Sequence, residues 1–138
     1  MQKSIGSAEK MYIPKGSATM NGGIIMPFIN VKTNAPVSAE KETQLKSALG
    51  KAITAIPGKS ETWLMVGIEP EYKLYFQGTN APAAMVEVSV YGHPSASAFN
   101  DLTGEISTCL SDILSIDPSR IFVKYYETDI WGWNGSNL

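Results

Sequence analysis

The order strand, helix, strand occurs twice along this chain, with a similar interval between helix and following strand each time, and few folds accept that pattern. Phe28-Ile29-Asn30-Val31-Lys32 is rich in β-formers and bounded by Asn34 and Pro36, which predicts a strand. Ser38 can cap a helix running to about Ile56, with Leu45, Leu49, Ala52, Ile53 and Ile56 on one face and charges on the other. Pro57-Gly58 stops that helix. Thr62 to Ile68 reads as a second, buried strand, and Lys73 to Phe76 as a short hairpin edge. The scheme then repeats. Ala84 to Tyr91 is a strand, Gly92-His93-Pro94 a break, and a helix from Ser95 or Ser97 carries Phe99, Leu102, Ile106, Cys109, Leu110 and Ile113 as its apolar stripe. Asp117-Pro118 leads into a last main strand, Ile121 to Tyr126.

Parallel strands joined by a helix form the right-handed βαβ unit. The expected class is therefore α/β (α+β), with two β-α-β pseudo-repeats giving a four-stranded mixed sheet and both helices on one face. The other face needs a cover. Val86, Val88 and Val90 alternate with Glu87 and Ser89, and Ile29, Val31, Leu64 and Val66 are also apolar, so self-association is the expected way to supply it.

Composition narrows the chemistry. With 138 residues, 43% hydrophobic and 17% charged, the chain can bury one ordinary core. Net charge is -2, and the eleven Lys and Arg form no stripe that would follow a phosphate backbone, so nucleic acid is not expected as a partner. Apolar runs such as Trp63-Leu64-Met65-Val66 fall far short of the roughly 20 residues that cross a bilayer, and no signal peptide is evident, so no membrane association is expected. The expected location is the cytoplasm, with release by a route that uses no signal peptide. One cysteine, Cys109, and one histidine, His93, exclude an internal disulfide, a Cys/His zinc cluster and a Cys-x-x-Cys redox motif. His93 has no Gly-x-Ser-x-Gly elbow to serve and reads as a turn residue, and Cys109 reads as a small core residue. Neither metal nor cofactor is expected.

Residues 1 to 25 differ in texture: rich in Ser, Gly, Lys and Met, they lack strand or helix periodicity and end in Asn21-Gly22-Gly23-Ile24-Ile25. Gly-Gly can be written GGAGG, a ribosome-binding sequence, and two Ile codons then place the AUG of Met26 at a workable distance. Residues 1–26 are accordingly expected to be an extension or leader outside the fold, and residues 27–138 the folded domain.

Met26-Pro27-Phe28-Ile29-Asn30-Val31-Lys32-Thr33-Asn34 resembles the opening of the macrophage migration inhibitory factor family of tautomerases, whose members begin with Met-Pro and a short strand. Pro57-Gly58-Lys59 before a β-rich stretch, Phe76-Gln77-Gly78-Thr79 followed by Pro82, Arg120-Ile121-Phe122-Val123, and Gly132-Trp133-Asn134-Gly135-Ser136 fall in the family's order as well. The resemblance implies a homotrimer with a site at each subunit interface. It also implies removal of the initiator methionine, leaving proline first.

The chemistry implied is keto-enol tautomerisation of a small aromatic 2-keto acid such as phenylpyruvate, with the Pro27 nitrogen as general base and acid. A protonated amine accepts no proton, so an apolar pocket and a nearby lysine must lower its pKa. Phe28, Tyr91, Phe122 and Trp133 are expected to supply the apolar walls and Lys59 the cation that holds the carboxylate. Lys124, from a neighbouring subunit, would give a second contact. Taken alone, Lys59 after Pro-Gly also reads as a solvated loop lysine, and Trp131 and Trp133 as edge aromatics at a subunit contact. Departures bear on substrate choice: Tyr91 stands where better-known members have isoleucine, Phe122 where they have tyrosine, Lys124 where they have asparagine, and Leu138 where they have an aromatic residue. The Cys-x-x-Cys of the vertebrate factor falls on Ala83-Ala84-Met85-Val86, so its thiol-disulfide activity does not carry over. A cytokine-like protein acting on a host receptor is the alternative function. A Pro-dependent hydratase or dehalogenase would want paired arginines, and Arg120 is the chain's only one.

Overall fold

The structure, a computed structural model, describes residues 26–138; the expected tail at 1–25 lies outside the described residues. Strand β1 (Pro27–Thr33) is followed by helix α1 (Ala39–Ala52), strand β2 (Met65–Glu69), strand β3 (Ala84–Tyr91), helix α2 (Ala96–Leu114) and strand β4 (Ile121–Thr128). The sheet order is β2-β1-β3-β4. β1 runs parallel to β2 and β3 parallel to β4, while β1 and β3 pair antiparallel at the centre. Two βαβ units thus sit side by side in one mixed sheet, as their sequence order requires.

The period-2 alternation of β1 and β3 decides which face is covered. Ile29, Val31, Val86, Val88 and Val90 are fully buried in one cluster with Leu45, Leu49 and Ile53 from the first unit and Leu102, Ile106 and Leu110 from α2. Both helices therefore pack on this face. The valines expected to need a second copy already face the helices. What the opposite face presents is Phe28, Met65, Phe122 and Tyr126, of which Met65 and Phe122 are 68% and 50% exposed.

Each helix starts at a serine. Ser38 accepts from the Lys41 amide at 3.2 Å, and Ser95 accepts from the Ala98 amide at 3.0 Å. Ser95, rather than Ser97, is the cap of α2. Ser95→Ala should lower stability by about 1 kcal/mol in a urea melt; an unchanged midpoint would contradict the capping role. At its other end α1 is shorter than expected, because its last turn tightens into a 3-10 helix, Ile53–Ala55, before Ile56 becomes extended.

Other differences have identifiable causes. Glu61–Trp63 forms a 3-10 turn, so β2 begins only at Met65, and as an edge strand it is half-buried rather than buried. Lys73–Phe76 forms no hairpin strand. Phe76 makes one isolated bridge to Thr79, and side chains hold the loop instead: Asn34 donates to the carbonyls of Leu74, Asn80 and Ala81, and Arg120 to those of Phe76, Thr79, Ala81 and Pro82. Strand β4 continues two residues past Tyr126. Beyond it a small hairpin joins β5 (Gly132–Trp133) to β6 (Ser136–Asn137), with Asn134 and Gly135 both at positive φ, the Asn-Gly turn suited to the strand twist. Cys109 is half-buried, and burial pushes its thiol pKa up, consistent with a packing role. Among the described residues no helix is long and apolar enough to cross a membrane.

Candidate active site

Strand direction brings several of the expected residues to one end of the sheet. Pro27 opens β1 and is buried; its partner is Val90, so the end of antiparallel β3 lies beside it. Tyr91, the last residue of β3, is buried, and its amide donates to the Met26 carbonyl at 3.0 Å. Met26 is itself 3% exposed, so the peptide bond before Pro27 is packed into the protein. Because β2 is parallel to β1 and Met65 pairs with Phe28, the loop that enters β2 arrives at this same end. That loop carries Lys59.

Lys59 follows two exposed residues, Pro57 and Gly58, yet is only 5% exposed. Gly58 makes this reversal with φ 83°, and the Lys59 amide closes the turn on the Ile56 carbonyl at 3.1 Å. Its Nζ is the one buried side-chain nitrogen or oxygen without a hydrogen-bond partner among the described residues. Burial disfavours the ammonium, and the pKa falls to about 7. The solvated-loop reading of this lysine is therefore overturned.

Trp133, in β5, meets Trp63 edge to face at 5.3 Å between centroids. Trp63 sits in the 3-10 turn after Lys59, and sequence reasoning missed it by placing it in a strand. An apolar residue four positions from the lysine was the available signal. Phe28 projects to the open face, where it lines an open groove of about 730 Å³ with Met65, Ser89, Tyr126 and Trp131. Neither Met65 nor Tyr126 was singled out from the sequence.

Phe122 and Lys124 lie elsewhere. Phe122 pairs with Met85 and Lys124 with Glu87, toward the start of β3, whereas Pro27 pairs near its end. Phe122 packs on Phe76 at 5.0 Å, and Lys124 Nζ stands 5.3 Å from the centre of the Tyr126 ring. One copy of the chain thus brings Pro27, Tyr91 and the loop that carries Lys59 and Trp63 to one end of the sheet, with Trp133 packed on Trp63, but not Phe122 or Lys124.

The macrophage migration inhibitory factor (MIF) family profile matches residues 26–138. Among curated proteins, mouse (Mus musculus) macrophage migration inhibitory factor is 31% identical over 115 residues, covering 82% of this chain and 99% of the mouse protein. Mouse D-dopachrome decarboxylase is 28% identical over 107 residues, covering 77% of this chain and 90% of that protein. Among solved structures, Leishmania major MIF2 superposes with a TM-score of 0.77 at 32% identity, over 82% of this chain and 97% of that one.

Proposed function

Because the chain belongs to the macrophage migration inhibitory factor family, we propose that it is a keto-enol tautomerase whose base is the nitrogen of Pro27, made free by removal of Met26 and all that precedes it. The observation that carries this reading is Lys59, a buried amine without a partner among the described residues, whose loop enters the sheet beside Pro27. A buried group without a partner costs free energy, and a site that awaits an anion is a physical reason to retain it.

The reaction needs no more than these groups. The Pro27 amine removes a proton from the carbon next to the carbonyl of a 2-keto acid such as phenylpyruvate, and the electron pair moves onto the carbonyl oxygen. The same nitrogen returns its proton to that oxygen, giving the enol. Protonated Lys59 holds the carboxylate and eases the charge developing on the enolate. Cleavage after Met26 also frees the Tyr91 amide, now bonded to the Met26 carbonyl, to donate to a substrate oxygen beside Pro27. The aryl group lies against Trp63 and Trp133. Similarity to a decarboxylase named for D-dopachrome supports an enzymatic role for this pocket.

Phe122, Lys124 and the exposed Met65 and Tyr126 support a homotrimer, in which the open face is covered and a neighbour brings Phe122 and Lys124 to the Pro27 end. The test is a phenylpyruvate assay on protein beginning at Pro27. Turnover is expected; its absence in a folded trimer with a verified amino terminus would refute the reading. Receptor binding without turnover would leave the cytokine-like function.

A further inference from the structure

His93 stands between two carboxylates. Its Nδ1 lies 2.9 Å from Glu127 Oε1 and its Nε2 lies 2.7 Å from Asp129 Oδ1. An ionised carboxylate only accepts, so both contacts are hydrogen bonds only when both ring nitrogens carry protons, which makes the ring an imidazolium. A neutral ring keeps one N–H and turns a lone pair toward the other carboxylate. Glu127, from β4, and Asp129, from the segment after it, are the charged groups facing this ring among the described residues.

The location gives the pair of contacts a consequence. His93 comes two residues after Tyr91, and Asp129 opens the C-terminal arm, residues 129–138. The arm closes on itself through the β5-β6 hairpin and the Leu138 amide, which donates to the Trp131 carbonyl at 2.9 Å. Its root is tied to the sheet by the Gly92 amide donating to the Thr128 carbonyl at 3.0 Å, and its tip rests on Trp63 through Trp133. Beside that root, at Asp129, His93 supplies a second tie. Trp131 lines the groove on the open face, so the arm holds two of the aromatic walls.

We propose that His93 is a positioning residue for the aryl end of the pocket: its imidazolium clamps the C-terminal arm to the turn after Tyr91, and loss of the proton loosens Trp131 and Trp133. Its effect on substrate rests on the tautomerase reading; the clamp does not. The two carboxylates raise the His93 pKa above its ordinary 6.5. A group whose folded pKa is raised contributes fully below its unfolded value, so the clamp is complete below pH 6.5 and is lost as pH rises through the higher folded value. The ring is exposed, so salt weakens the clamp.

One histidine and three tryptophans make the test direct. In the full chain, nitrogen-detected NMR should give one imidazole titration with a midpoint above 6.5, and the Trp131 and Trp133 indole signals should shift with that same midpoint. Asp129→Asn should move the midpoint down toward 6.5, and in His93→Gln the indole transition should vanish. Indole signals that stay flat while the imidazole titrates, or that titrate equally in His93→Gln, would overturn the clamp. Protein beginning at Pro27 that is inactive on phenylpyruvate but shows the coupled titration would refute the tautomerase reading alone.

Discussion

Replacing Pro27 by glycine in protein that begins at residue 27 should lower kcat/KM for phenylpyruvate by about 10²- to 10⁴-fold, the usual contribution of a positioned general base. Glycine keeps an amine, but loses the secondary nitrogen and the ring that fixes φ and holds that nitrogen at the sheet end. Pro27 is buried where β1 begins, between β2 and β3, so the ring also packs. Far-UV circular dichroism should stay unchanged, because the remaining pairs of β1, from Phe28 to Thr33, survive the substitution. Equal turnover by both proteins would remove the proline from the mechanism.

Lys59→Met should move activity and stability in opposite directions. Methionine fills similar space and removes a buried amine that has no partner among the described residues, so the variant should be more stable by about 1–3 kcal/mol at pH 6 in a urea melt. The same change takes away the cation for the substrate carboxylate, and KM for phenylpyruvate should rise about 10- to 100-fold, the equivalent of one charged hydrogen bond. The pH dependence carries the same signature. Lys59 has a folded pKa of about 7 against 10.5 when unfolded, so between those values the unfolded chain binds more protons and stability climbs with pH. Lys59→Met should lack that climb. In the parent protein, KM should worsen above about pH 7 as the ammonium is lost. A less stable variant with unchanged KM would return Lys59 to a structural role.

The parts of the fold legible in the sequence are those written in local periodicity. Val86, Val88 and Val90 announce β3, and Leu102, Ile106 and Leu110 announce α2, because a strand or helix buries one face at its own repeat. Edge position is not written locally. Trp63-Leu64-Met65-Val66 looks like a buried strand, but β2 pairs with β1 alone, and its first residues coil into a turn. The loop after β2 is held by Asn34 and Arg120, 40 or more residues away from most of the carbonyls they reach, and no pattern within the loop reveals that. For the site, the Met-Pro start and Pro57-Gly58-Lys59 were visible as residues, but the burial of Lys59 depends on how the loop turns back. Trp63 and His93 were hidden because their partners, Trp133 and the carboxylates of Glu127 and Asp129, meet them only in the folded chain.

The proposed reaction requires the Pro27 nitrogen to be a free amine. With Met26 attached it is an amide nitrogen without a basic lone pair, and Met26 occupies buried space at the site. The most direct measurement is phenylpyruvate turnover by full-length chain, with intact mass recorded before and after the assay. Chain whose mass retains Met26 is expected to show no turnover above background. Sustained turnover by chain verified as uncleaved would contradict it.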